Sequence, residues 1–244
     1  MWNRKELKRK GKAAFKANYW RCVLVALLIV FVLGSSATAV RTGADRGLDS
    51  GSEVAQLDTD YNQLDTLLEQ VPSEKMPLVI AVVVGVFLVA LVVFVLVDAL
   101  LFNPLEVGCR RFFLVNTEGP ASLKELVFGY ENRYGNVVQT ILLRDIYLFL
   151  WSLLFIFPVF IKSYSYRLVP YILSENPEMK PKEAITLSRQ LMKGQKWRAF
   201  VLDLSFIGWD LLAVLTLGLV GLFYSNPYLS ATRAELYKAI RYGA

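Results

Sequence analysis

The sequence contains no histidine, only two cysteines, and just 20% charged residues across its 244 positions. Without histidine there can be no Ser-His-Asp or Cys-His nucleophile pair and no metal site that needs an imidazole. Cys22 and Cys109 stand far apart and form no CxxC, so neither a dithiol redox motif nor a disulfide framework is indicated. Phosphate-cradling glycine motifs are missing too: there is no P-loop, no GxGxxG and no EF-hand loop. Soluble chains carry about 25% charged residues. Here the shortfall is balanced by 55% hydrophobic residues and a mean hydropathy of +0.42.

What is present is apolar and blocked. Residues 78–97 are twenty consecutive positions without a charge or an amide, and residues 22–40 are nineteen more. A hydrocarbon core of roughly 30 Å is crossed by about 20 apolar helical residues. The blocks therefore predict an integral membrane protein of the all-α class. The net charge of +6 maps next to these blocks. Such placement reads as orientation and contact with anionic lipid at the cytoplasmic face, not as a nucleic-acid surface.

Charge asymmetry sets the expected topology. Residues 1–21 hold eight Lys/Arg against Glu6 alone, which predicts a basic interfacial helix on the cytoplasmic side. Leu7, Ala14, Phe15 and Trp20 are its residues available to lipid. An uncleaved first span follows at 22–40. Residues 41–76 carry eight acids and three bases and form an extracytoplasmic loop, with a short helix at Asp58–Leu68. The second span, 77–102, returns the chain to a cytoplasmic loop, 103–136, of balanced charge. Ser122 with Glu125 marks a helix start within that loop.

Residues 137–174 are read as crossing twice, as 137–157 and 158–174 with a turn or kink at Phe157-Pro158, a re-entrant segment being the alternative. Otherwise the six Lys/Arg of 175–198 would lie outside. Residues 180–193 read as an amphipathic surface helix, with Pro181 in its first turn and Gly194 as its cap. The last hairpin is 199–215 and 219–240, broken near Thr216-Leu217-Gly218. The expected architecture is a polytopic transmembrane bundle of six spans in three hairpins, with amphipathic surface helices and both termini cytoplasmic.

The first and third hairpins end alike. Asn103-Pro104 is followed by Arg110, and Asn226-Pro227 by Arg233, seven residues after the Asn in each case. Transporters are often built from repeated membrane units with broken helices at the substrate site. Proline also kinks membrane helices for purely structural reasons.

Seven charges fall in or near the expected spans: Asp98, Arg144, Asp145, Lys162, Arg167, Asp203 and Asp210. Each costs about 2.5–3.5 kcal/mol at a helix centre, so such residues pair or face water. Asp98 and Arg144, near the cytoplasmic side, are plausible partners, with Asp203 at the same level. As a group they read either as structural ion pairs or as a polar pathway or headgroup pocket. Tyr164, Tyr166, Tyr171, Trp197 and Trp209 fit an interfacial aromatic belt. Asp203 and Asp210 share a helical face about 10 Å apart along the axis, too far for two carboxylates to share a proton. No catalytic constellation, cofactor site or metal site emerges.

SYSYRLVPYILSENP (163–177), EAITLSRQLMKGQKW (183–197), LDLSFIGWDLL (202–212) and LTLGLVGLFYSNPY (215–228) resemble an uncharacterised family of bacterial multi-pass membrane proteins. ELKRKGKAAFKANYW at the start and NPLEVGCRRFFL (103–114) fit the same pattern. The family is distantly similar to the membrane domain fused to some glycerophosphodiester phosphodiesterases, whose catalytic domain has no counterpart here. The resemblance implies a cytoplasmic-membrane location and no known reaction. Two functional classes follow. One is a non-enzymatic envelope module that scaffolds or modulates membrane components through lipid and a membrane or envelope protein partner. The other is a transporter or lipid-handling protein that uses the intramembrane charges.

Overall fold

A computed structural model describes residues 2–41, 75–154 and 156–243. The helix expected at Asp58–Leu68 lies outside the described residues. Every regular element among the described residues is helical. Two compact units are present, one made of residues 1–34 and 99–244, the other of residues 35–98.

The second unit contains α3, Met76–Val97, which is apolar all round and buries none of its side chains. A helix without a polar face has no stable position at a water boundary. The helical run Met76–Val115 is long and apolar enough to cross a membrane, with a mean hydropathy of 3.5 over its best window. Helix α1, Arg4–Ala17, and the start of α2, Tyr19–Arg41, meet at 107° and pass the same test only when taken together.

In the first unit α1 is capped by Asn3, whose side chain accepts the Lys5 amide at 2.9 Å. Its apolar stripe is Leu7, Gly11 and Phe15, all buried and spaced by one helical turn. The stripe packs on the last helix, α12 (Asn226–Tyr242). This corrects the expectation that Leu7 and Phe15 face lipid, since Leu7 is 3% and Phe15 1% exposed. Trp20 does remain outside. The Phe15 ring meets Tyr224 edge-on at 5.7 Å. Burial of two such side chains is worth about 1.5–3 kcal/mol each, more than a solvated position for α1 offers.

Gly11 makes the close approach possible, because a Cβ there would lie 2.7 Å from Thr232 Oγ1 and 2.8 Å from Thr232 Cα. Gly11→Ala is therefore expected to loosen α1 from α12, although alanine favours the isolated helix by about 1 kcal/mol. Amide exchange across residues 4–17 should accelerate while exchange in α12 changes little. Unchanged protection of α1 would count against this packing.

Helix α4, Asn103–Val115, begins with Asn103-Pro104 directly after one π turn, Asp98–Phe102. Pro104 has no N–H to give the carbonyl four residues back. That carbonyl, Leu100 O, instead accepts the Tyr134 hydroxyl at 2.9 Å, and Leu101 O accepts the Tyr130 hydroxyl. The second Asn-Pro pair sits in the same setting, with a π turn at Gly221–Ser225 leading into α12. The repeat read from two dipeptides thus extends to the backbone.

After α4 a 3₁₀ turn, Leu123–Val127, is capped by Ser122 through the Lys124 amide. Glu125 does not close a capping box but binds Arg111 at 2.7 Å. A short α5, Phe128–Glu131, follows. Helix α6, Tyr134–Leu154, has 21 residues, a rise of roughly 31 Å. Helix α7, Ile156–Tyr166, runs through Phe157-Pro158, where the turn was expected. The return leg is itself interrupted at Arg167 and Leu168 before α8, Val169–Glu175. Pro170 accounts for that start, its missing N–H falling in the first turn.

Helix α9, Pro181–Leu191, buries Ala184, Ile185 and Ser188 against α6, α7 and α8. Ser188 donates to Ser165 O at 2.8 Å. Its apolar face is therefore taken up by protein. Helices α10, Lys196–Leu204, and α11, Ile207–Leu215, are nine residues each, with a break at Ser205-Phe206. Leu217 and Gly218 then take left-handed backbone angles, φ 49° and 88°, at an exposed turn. Tyr166 and Tyr171 belong to the core, not to an aromatic belt, and Tyr171 stacks on Tyr237 at 5.2 Å.

Candidate functional site

A set of charged residues of the first unit gathers where α4, α6, the break after α7, α10 and α12 present them to one another. On α4, Glu106 and Arg110 are one turn apart and form a pair at 3.4 Å, with side chains 7% and 9% exposed. From α6, Arg144 reaches the other Glu106 oxygen at 2.9 Å and holds its neighbour Asp145 at 2.8 Å. Both carboxylate oxygens of Glu106 are thus engaged.

A second group centres on Asp203, near the end of α10. One of its oxygens takes Arg167 and the Tyr164 hydroxyl, the latter at 2.9 Å. Its other oxygen takes Arg233 at 3.3 Å. The Arg167 guanidinium lies over the Tyr164 ring, 4.5 Å from its centre. Arg233 shares Asp203 with Arg167, and its helix α12 packs on α4, which carries Arg110, so the two repeat motifs lie on neighbouring helices.

A cavity of about 290 Å³ opens between the groups, lined by Glu106, Arg110, Arg144 and Arg167 and by Ser163 and Leu148 among others. Two features of its wall stand out. Among the lining charges, three guanidiniums face one carboxylate. One nitrogen of Arg167, Nη1, is buried and has no hydrogen-bond partner. Arginine offers five donors in a fixed fork that matches carboxylate and phosphate oxygens, so an anion is the ligand such a wall suits.

Five of the charged residues singled out in the sequence meet here: Arg144, Asp145, Arg167, Asp203 and Arg110, with Arg233 beside them. Two do not. Lys162 lies over the Trp151 ring at 4.2 Å, and Asp210 is exposed on α11. Asp98 belongs to the other unit, at the C-terminal cap of α3. Asn103, Pro104 and Pro227 are buried at the helix starts. The sequence reading missed Glu106, although its i, i+4 spacing to Arg110 is a helix-pair signal. It also assigned Tyr164 to a belt when its hydroxyl binds Asp203. Among the described residues no cluster of three or more metal-ligating side chains occurs.

Outside this network lies Lys8 on α1, which donates to Ser205 O at 3.2 Å and sits 4.3 Å from the centre of the Phe206 ring. Burial, with Arg4 nearby, lowers its pKa from the ordinary lysine value.

Fold and site together define an all-helical protein organised around a buried arginine–carboxylate network. Residues 158–243 match the model of a family described as "Protein of unknown function (DUF975)". The matched stretch contains Tyr164, Arg167, Asp203 and Arg233, whereas Glu106, Arg110 and Arg144 precede it. No curated protein and no solved structure matches the chain.

Proposed function

We propose that the chain is a non-enzymatic multi-pass module of the bacterial cytoplasmic membrane, working as a scaffold or modulator of envelope components. In this reading it crosses as six spans in three hairpins, keeps both termini inside, and rests its basic face on anionic lipid. The observation that carries the reading is where the apolar side chains lie. In α3 they all point outward, and in the first unit Phe149, Leu153, Phe160, Leu211, Val214 and Leu217 are exposed at the far parts of the hairpins. Exposed apolar surface on this scale marks contact with membrane or protein.

Thiol labelling tests the topology. Cys22 and Cys109 are fully buried, so Ser52→Cys and Glu178→Cys each add the one reactive thiol. A membrane-impermeant reagent on intact cells should label Ser52→Cys and spare Glu178→Cys until the membrane is opened. Labelling of both from outside would sink the six-span arrangement.

A second reading, lipid handling, is favoured by the helix interruptions. Arg167 lies in the break between α7 and α8, and Asp203 lies two residues before the break after α10. Interrupted helices at membrane depth are tolerated where they are buried in protein or line a cavity, and Arg167 lines one.

A further inference from the structure

The cavity wall has more donors than acceptors. Glu106 spends both oxygens on Arg110 and Arg144. Arg110, itself buried, donates a stretched bond of 3.4 Å to Glu106 and lies 5.8 Å from the centre of the Tyr171 ring. Arg167 gives one nitrogen to Asp203 and leaves Nη1 buried and unmatched. Unsatisfied charged donors in a poorly solvated site are costly, and the cost is removed by an anion that accepts several of them at once. With their direct partners counted, the guanidiniums of Arg110, Arg144, Arg167 and Arg233 meet the carboxylates of Glu106, Asp145 and Asp203, which leaves one positive charge to be balanced. A phosphate group carries one or two negative charges and accepts hydrogen bonds on several oxygens, which suits guanidinium forks better than a single carboxylate does. The cavity, at about 290 Å³, is close to the smallest ligand pockets, which start at about 300 Å³. It holds a headgroup-sized fragment and not a whole lipid.

We infer that the cavity between α4, α6 and α7 binds a phosphate group, carried as an ester, through Arg110, Arg144 and Arg167. The inference deepens the lipid-handling reading and rests on it only for the source of the phosphate. A phospholipid headgroup and a soluble phosphate ester present the same chemistry to these three arginines. Leu148, on α6 one turn beyond Arg144, closes the apolar side of the cavity and offers a way to fill it without touching a charge.

The test uses the full chain purified in a sugar-based, phosphate-free detergent. Calorimetric titration with glycerol 3-phosphate reads the soluble source. Native mass spectrometry with phosphatidylglycerol, against a galactolipid lacking phosphate, reads the lipid source. One equivalent of a phosphate-bearing probe should bind saturably, and affinity should fall by about tenfold or more in Arg167→Gln, the loss of one charge-assisted hydrogen bond. Arg167→Lys should recover part of it. Leu148→Trp, which keeps every charge, should abolish binding and decides the matter if Arg167→Gln fails to fold. Binding of phosphatidylglycerol alone assigns the site to lipid, and equal competition by glycerol 3-phosphate assigns it to a soluble ester. Absence of saturable binding by both phosphate probes overturns the proposal. So does galactolipid binding as tight as phosphatidylglycerol, or unchanged affinity in folded Arg167→Gln and Leu148→Trp. The glycerol 3-phosphate titration stands even if the labelling experiment rejects the six-span topology.

Discussion

Glu106→Gln is expected to destabilise the protein by about 3–5 kcal/mol, the cost of removing one partner from a buried ion pair. The substitution keeps the shape of the side chain and one acceptor oxygen, so little of the loss is steric. What it removes is the negative charge that Arg110 and Arg144 share, and both arginines are largely buried. Arg144 retains Asp145 at 2.8 Å, whereas Arg110 is left with an uncharged amide. For a chain of this size the thermal midpoint should drop by roughly 6–20 °C, with a matching fall in abundance in cells. The double variant Glu106→Gln, Arg110→Gln should lose less than the two single changes summed, because each single change strands a charge that the double change removes. A loss under about 1 kcal/mol, the range of solvent-screened pairs, would show that water reaches this network.

Gly108→Ala carries the other large expected effect. A Cβ at Gly108 would stand 2.0 Å from the carbonyl oxygen of Leu126 and 2.6 Å from its carbonyl carbon. The obstacle is backbone, which cannot rotate away as a side-chain tip can. Gly129 makes a reciprocal approach, its Cβ position lying 2.3 Å from Pro104 O. Helix α4 and the segment 123–131 are thus held together at two points by glycine. Overpacking costs about 1–3 kcal/mol and more where nothing yields, so Gly108→Ala should fall at or above the top of that range. Gly119→Ala is the control, since no atom lies within 4 Å of a Cβ built there. Denaturant midpoints of the two variants should differ clearly, and equal midpoints would refute the close approach.

The helices were largely legible because local chemistry defines them. Apolar blocks, Pro181 in a first turn and Ser122 as a cap all act within a few residues. The interior was less legible, because an apolar stripe reports that it will be covered and not by what. Leu7 and Phe15 have the spacing of a lipid-facing helix and also the spacing of a helix docked on α12. Tyr171 sits near a span end as belt residues do, yet its ring and that of Tyr166 pack inside. Glu106 stayed hidden because its loop balances four acids against four bases, and net charge erases a pair that structure makes visible. The placement of Arg110 and Arg233 on neighbouring helices was foreshadowed by equal spacing from Asn-Pro. The carboxylates they meet are supplied by different segments, and no repeat could announce them.

The docking of α1 on α12 has a consequence for how the molecule is made. Gly11 and Thr232 touch across more than two hundred residues of sequence. At about 5–20 residues per second, the ribosome needs roughly 10–45 s to pass from one to the other. Throughout that interval the partner of α1 has not yet been synthesised, and the Leu7–Phe15 stripe must rest on some other surface or stay wet. The amphipathic pattern read from the first twenty residues is the one that α12 covers in the folded chain. The finished protein buries the same stripe, so release of α1 from its first resting place becomes a late step of assembly, timed by the arrival of the last helix.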